Sequence, residues 1–275
     1  MEHLIFDRQG RVGWLRLNRP DKLNSWTFAM WGEMAKLGDE LVADEDLRAL
    51  VVIGEGRAFS SGIDTSNFSP GQSGALFSEA GSGAPTDSTG DDQLVTAVTE
   101  IQACYSWLAE APYPTIAAVR GYALGAGMQL AMACDLRIVA RGTKLGLPEH
   151  RYGLLPDLGG LYWLPRLVGP AKAKELVWTG ERIDADEAHR IGLANQVVRD
   201  DELETTVAGL AETLAAQPPI AVSGSKRAID AAAGQTLSEG LREAAVGQAR
   251  CIRSADFLEA VAAFAGRRAP NYRNR

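Results

Sequence analysis

The chain has 275 residues, 46% of them hydrophobic, enough for one large domain with a sizeable core. Its 28 Lys+Arg against 35 Asp+Glu give a net charge of −7, which argues against a nucleic-acid partner, since such proteins carry a basic stripe. Cys104, Cys134 and Cys251 are scattered without CxxC spacing, which speaks against a disulfide framework or a zinc site and for a reducing compartment. The start, Met1 to Arg8, lacks the basic-then-apolar pattern of a signal peptide, and no apolar run approaches the roughly 20 residues of a membrane helix. A cytoplasmic protein with no membrane partner is expected.

Residues 11–18 alternate as a strand does, and Asn18-Arg19-Pro20-Asp21 reads as a turn. Residues 25–42 suit an amphipathic helix with Ser25 or Thr27 as N-cap. Leu47–Gly54 is a short buried strand. This alternation is the mark of an α/β fold. Residues 66–92 break it, being rich in Ser, Gly, Pro, Asp and Thr, and read as a long loop, a candidate lid. A helical period resumes over 93–111 and stops at Pro112-Tyr113-Pro114. A buried strand follows at Thr115–Val119, a buried helix at Gly127–Cys134 and a strand at Leu136–Ala140. Residues 170–191 and 201–216 read as helices. From Pro218 to about Gly266 the pattern is helical throughout. We expect a core over 1–200 and a helical region over 201–275.

Two turns stand out chemically. Ala58-Phe59-Ser60-Ser61-Gly62-Ile63-Asp64 and Gly121-Tyr122-Ala123-Leu124-Gly125-Ala126-Gly127-Met128-Gln129 each join an apolar strand to small residues that can open a helix. Such turns leave rigid backbone N–H groups unpaired. Two converging turns make an oxyanion hole, which implies chemistry on a carbonyl whose oxygen gains charge.

In order along the chain, several segments resemble the crotonase superfamily, the enoyl-CoA hydratase/isomerase family. Asn18-Arg19-Pro20-Asp21-Lys22-Leu23-Asn24 is similar to the family's N-R-P-x-x-x-N turn, and Phe59-Ser60-Ser61-Gly62-Ile63-Asp64 to F-x-x-G-x-D. Gly121 to Gly127 resembles G-x-x-x-G-G-G. Pro148-Glu149, Gly153 to Gly160 and Leu164 to Gly169 continue the pattern. The resemblance implies an α/β spiral of strand–strand–helix repeats, a C-terminal helical region that drives a homotrimer or dimer of trimers, and an acyl-CoA substrate. No separate cofactor is implied, because coenzyme A arrives as part of the thioester.

Carried over by position, the hole's donors are the N–H groups of Ile63 and Ala126, the latter replacing the family's usual glycine. The family's two carboxylate positions fall on Gln129 and Glu149, and a third, Asp in some isomerases, on Asp157. Glutamine cannot exchange a proton near neutral pH, so Gln129 weakens the case for two-carboxylate hydration. Moving a double bond needs one proton removed and one returned, which Glu149 with Asp157 can supply. Asp157 also reads as a plain turn residue, and His150 and Asp64 as bystanders. Lys22, Leu23, Asn24, Ser61 and Gly62 match the segments around coenzyme A, and Arg267 in the basic tail matches one that reaches its phosphates. Trp107, Tyr162 and Trp163 are candidates for the acyl pocket or for plain core. Isomerisation is slightly favoured, with hydration of a 2-enoyl-CoA and non-catalytic acyl-CoA binding left open.

Overall fold

The computed structural model describes residues 2–68 and 88–274; the middle of the expected 66–92 loop lies outside them. Strands β1 (Leu4–Gln9) and β2 (Val12–Leu17) form an antiparallel hairpin. The rest of the main sheet is parallel, β2 followed by β3 (Ala49–Gly54), β4 (Thr115–Val119), β6 (Leu136–Ala140) and β9 (Gln196–Val198). Every residue of β3 and β4 is buried, as expected for central parallel strands covered on both faces. A second sheet joins β5 (Tyr122–Leu124), β7 (Lys144–Gly146) and β8 (Ile183–Asp184). Strands β5 and β7 directly follow β4 and β6. The chain therefore winds strand, strand, helix, and steps from one sheet to the other at each turn of the spiral.

Helix α1 (Phe28–Val42) starts at Thr27, whose hydroxyl accepts the Met30 N–H at 3.3 Å. Helix α2 spans Ser88–Glu110, beginning five residues before the sequence pattern indicates and taking the end of the expected loop into regular structure. Helices α3 (Ala126–Ala133), α4 (Gly160–Val168), α5 (Pro170–Thr179) and α6 (Ala185–Arg190) complete the layer around the larger core. The expected helix over 170–191 is thus two helices, parted by Gly180 in the left-handed region and the short β8. Leu50, Val52, Ala117 and Val139 face this core together with Trp26, Trp31, Met34 and Tyr105. The alternate residues Val51, Ile53, Ile116 and Ile138 face the other way, against Leu203, Val207, Ala211 and Ala215 of α7 (Leu203–Ala215). Burying one such side chain stabilises by about 1.5–3 kcal/mol.

α7 therefore lies on the sheet. Helices α8 (Pro219–Ala232), α9 (Leu237–Arg253) and α10 (Ala255–Ala265) follow. α8 is pinned by Lys226, whose ammonium donates to Asp135 Oδ2 at 2.9 Å and to the Leu108 carbonyl at 3.1 Å. α9 is capped by Thr236 and Glu239 in a reciprocal box, yet buries no residue within one chain. Among the described residues no helix is long and apolar enough to cross a membrane.

Candidate active site

The two glycine turns meet at the C-terminal ends of β3 and β4. Ser60 donates its N–H to Tyr122 O at 2.9 Å and accepts the Leu124 N–H at 3.0 Å, so the turns are stitched as a short parallel ladder. Their approach leaves no room for side chains. A Cβ on Gly62, at φ +102°, would stand 2.8 Å from Leu124 O and 3.8 Å from the Ala126 nitrogen; one on Gly127 would stand 2.6 Å from Ser60 Cβ.

Around each candidate donor the neighbouring backbone is engaged. Trp26 N–H donates to Gly62 O at 2.8 Å, Asp64 N–H donates to Trp26 O at 2.9 Å, and Ser60 Oγ accepts the Gly62 N–H at 3.2 Å. This alternation turns the Ile63 N–H to the other side. On the second turn Gly125 N–H donates to Gly146 O at 2.9 Å, and Ala126 opens helix α3, where N–H groups have no partner within the helix. Neither the Ile63 nor the Ala126 N–H makes a hydrogen bond among the described residues. The start of α3 adds positive potential at this point.

Asn24, fully buried, explains the invading turn before α1. Its side chain accepts the Arg19 N–H at 2.7 Å and donates to Glu55 O at 2.9 Å and Ala58 O at 2.8 Å. Leu23 and Asn24 both sit in the left-handed region, at φ 50° and 54°. Leu23 O accepts the Ser61 N–H at 2.9 Å, and Asn24 O the Ser60 hydroxyl at 2.8 Å. Lys22, Leu23, Asn24, Ser61 and Gly62 are thus gathered beside the first donor, with Lys22 exposed and Asn24 holding the turn together. Asp64 sits behind them. Burial opposes its charge, but the Ser66 N–H and hydroxyl and the Arg19 guanidinium, 2.9 Å away, outweigh that and hold its carboxyl at about 2. It is a structural anion, as its turn position indicates.

Glu149 opens a 3-10 turn, Glu149–Tyr152, closed by Gly153 at φ 71°. Its Oε1 lies 3.4 Å from where a Cβ on Gly125 would stand, which sets the carboxyl against the second turn of the hole. Oε1 accepts Gln129 Nε2 at 2.8 Å, while Oε2 is buried with no protein partner among the described residues. Burial is the main cause that lifts this carboxyl to about 7; hydrogen bonds from its own N–H and from Gln129 pull the other way, and the Asp157 charge adds to the rise. Gln129, 1% exposed, accepts the Gly160 N–H at 3.0 Å with its other end. It clamps Glu149 between the first turns of α3 and α4. That role depends on Gly160, a position sequence reasoning did not single out and for which an amide backbone leaves no side-chain signal.

Asp157 is brought into electrostatic range of Glu149 without a hydrogen bond to it. The residue is exposed, while packing around its carboxyl lifts it above its ordinary value. His150 is exposed beside Glu149. Arg267 is not gathered with the others in one chain. It follows α10 in the tail whose Tyr272 O accepts Arg11 Nη1 at 3.0 Å, at the start of β2 and the opposite end of the sheet from the hole. Trp107 proves to be core, packed on Gly38, and Trp163 packs on Gly159. Trp26 and Tyr105, which the sequence did not mark, form the aromatic wall behind Gly62, with ring centroids 5.1 Å apart.

The chain is similar to known proteins over nearly its whole length. The family model for enoyl-CoA hydratase/isomerase matches residues 7–275. A probable enoyl-CoA hydratase of Mycobacterium tuberculosis is 36% identical over 278 residues, covering 100% of this chain and 99% of the relative. The chain belongs to the enoyl-CoA hydratase/isomerase family. A 1,2-epoxyphenylacetyl-CoA isomerase of Escherichia coli is 34% identical, covering 99% and 98% of the two chains. Among solved structures, a putative enoyl-CoA hydratase of Streptomyces coelicolor superposes with a TM-score of 0.88 at 33% identity, over 99% of this chain and 94% of that one. Another, from Thermobifida fusca in complex with CoA, has a TM-score of 0.81 at 37% identity, over 91% and 93%. The family member described here is an enzyme of the enoyl-CoA hydratase/isomerase class.

Proposed function

We propose that this enzyme moves a double bond in an enoyl-CoA thioester. The substrate's thioester oxygen accepts from the Ile63 and Ala126 N–H groups. The Glu149 carboxylate takes a proton from the α-carbon of a 3-enoyl-CoA, and the electron pair left behind spreads over the dienolate and onto that oxygen. A carboxylic acid, Glu149 itself or Asp157, returns a proton to the γ-carbon, and the double bond ends conjugated to the carbonyl. Fixed donors stabilise the enolate without reorganisation, each contributing roughly 2.7–4 kcal/mol.

One observation carries the preference for isomerisation. The position facing Glu149 holds Gln129, whose amide is occupied at both ends by Glu149 and Gly160, so no second carboxylate stands at that position. Hydration of a 2-enoyl-CoA is the second reading, supported by the names of most relatives quoted above. The test is to supply purified enzyme with a 3-enoyl-CoA and, separately, a 2-enoyl-CoA, and to follow conjugated-thioester absorbance. Faster gain with the first supports isomerisation; faster loss with the second supports hydration; neither, with tight binding, supports a non-catalytic binder.

Coenzyme A is proposed to lie along Lys22, Leu23, Ser61 and Gly62, with Asn24 holding that segment in shape. Arg267 would reach its phosphates only from a neighbouring copy. A homotrimer supplies such a copy, and the exposed apolar side chains of α9 and α10, among them Leu237, Leu241, Leu258 and Phe264, support self-association of that kind.

A further inference from the structure

The end of the main sheet opposite the proposed oxyanion hole carries a cavity of about 470 Å³. It lies between the end of α1, the start of β3, the C-terminal end of α7, the first turn of α8 and one face of α9. At its inner wall is Arg48, the residue before β3, whose N–H donates to Arg11 O at 2.9 Å. Arg48 is only 7% exposed. Its Nε is buried without a hydrogen-bond partner, and its guanidinium makes no ion pair with any described residue. An arginine cannot shed its proton to escape burial, and an unpaired ion in a protein interior is strongly destabilising.

Burial is the main cause that disfavours this charge, and Arg11 adds to it; Asp256, Asp46 and Asp44 lie in electrostatic range and offset part of that cost, but none forms an ion pair with Arg48. Asp44 pairs with Arg8 at 2.8 Å. Asp256, itself 3% exposed, accepts the N–H groups of Arg273 at 2.6 Å and Asn274 at 3.0 Å. Glu45 stands exposed at the rim. Two further arginines, Arg227 and Arg250, line the mouth, exposed and without an ion pair among the described residues. The 14-residue helix α8 also begins here: Pro219 and Ile220 line the cavity, and its N-cap offers no side-chain acceptor, so the positive end of its dipole is presented. Leu47 and Leu214 supply an apolar flank.

We propose that this cavity binds a small organic anion, with a carboxylate or phosphate head gripped by Arg48 from within and by Arg227 and Arg250 from the rim. Arginine's planar fork suits either head group. The site is separate from the thioester site, since Arg48 precedes β3 and the first turn of the hole follows it.

Isothermal titration calorimetry of the full chain at low ionic strength, with inorganic phosphate, citrate and hexanoate as probes, tests this. At least one probe binds saturably, and comparison of phosphate with the two carboxylates tells which head group is preferred. Arg48→Met weakens that binding about tenfold or more, the loss of one charge-assisted hydrogen bond, and raises Tm in anion-free buffer by removing the unpaired charge. The surface change Arg227→Ala weakens it less and serves if Arg48→Met does not fold. Absence of saturable binding for all three probes overturns the proposal. So does unchanged affinity in Arg48→Met, or in Arg227→Ala should that be the only variant to fold.

Discussion

At the scale of single residues the proposed chemistry turns on Glu149. Its carboxyl, lifted to about 7 mainly by burial, is poised to take and return protons near neutrality. As a base it works ionised, so kcat/KM should rise with pH through an apparent pKa of about 7. Glu149→Gln keeps the acceptor for Gln129 but cannot take a proton, and should lower kcat by about 10²–10⁴-fold. The same lifted pKa makes a stability claim. Between the ordinary value of 4.5 and about 7 the folded protein holds a proton that the unfolded chain has released, so Glu149 makes stability fall as pH rises through that window. Glu149→Gln should therefore melt higher than the native enzyme at pH 8 and nearly level with it at pH 4.5. An equal Tm difference at both pH values would contradict the burial argument.

At the scale of elements the proposed hole is a product of two turns, and its second donor would sit at the first position of α3. Proline is tolerated at that helical position, because the N–H it lacks has no helical partner there. Gly125, at φ 51° and ψ −122°, is glycine and free to precede a proline. Ala126→Pro thus removes one donor with the helix intact. The expected result is a drop in kcat of about 10²–10³-fold with a normal circular dichroism spectrum. A fully active Ala126→Pro enzyme would show that the second donor is idle. These turns were legible in the sequence because glycine at Gly62, Gly125 and Gly127 records close backbone approach. So were β2, from its alternation, and β3, β4 and β6, whose apolar runs mark buried parallel strands. The short strands β5, β7, β8 and β9 were not. Two or three residues carry no period, and their pairing comes from the long-range sheet. Helix α4 was hidden too, since Pro165 lies inside it and Gly159 precedes it. For the same reason Gln129 could be read as a neutral departure but not as the clamp between Glu149 and Gly160.

At the scale of the whole molecule, one sheet end holds the proposed thioester site and the C-terminal helices stand largely apart from it. Phe264 at 89% exposed and Leu237 at 80% are hard to leave in water on a lone chain. Sedimentation equilibrium should give three times the mass of one chain, or a multiple of that, and Phe264→Glu combined with Leu258→Glu should shift it toward the monomer. A native chain that sediments as a monomer would remove the neighbouring copy that Arg267 requires. The central claim remains the convergence of two main-chain donors on one oxygen beside the Glu149 carboxyl. The most direct measurement is a crystal structure of Glu149→Gln, whose slowed turnover should let the substrate be trapped, with a 3-enoyl-CoA bound. The account predicts the thioester oxygen about 2.7–3.1 Å from both the Ile63 and Ala126 nitrogens, with residue 149 beside the α-carbon. A thioester oxygen away from either nitrogen would contradict it.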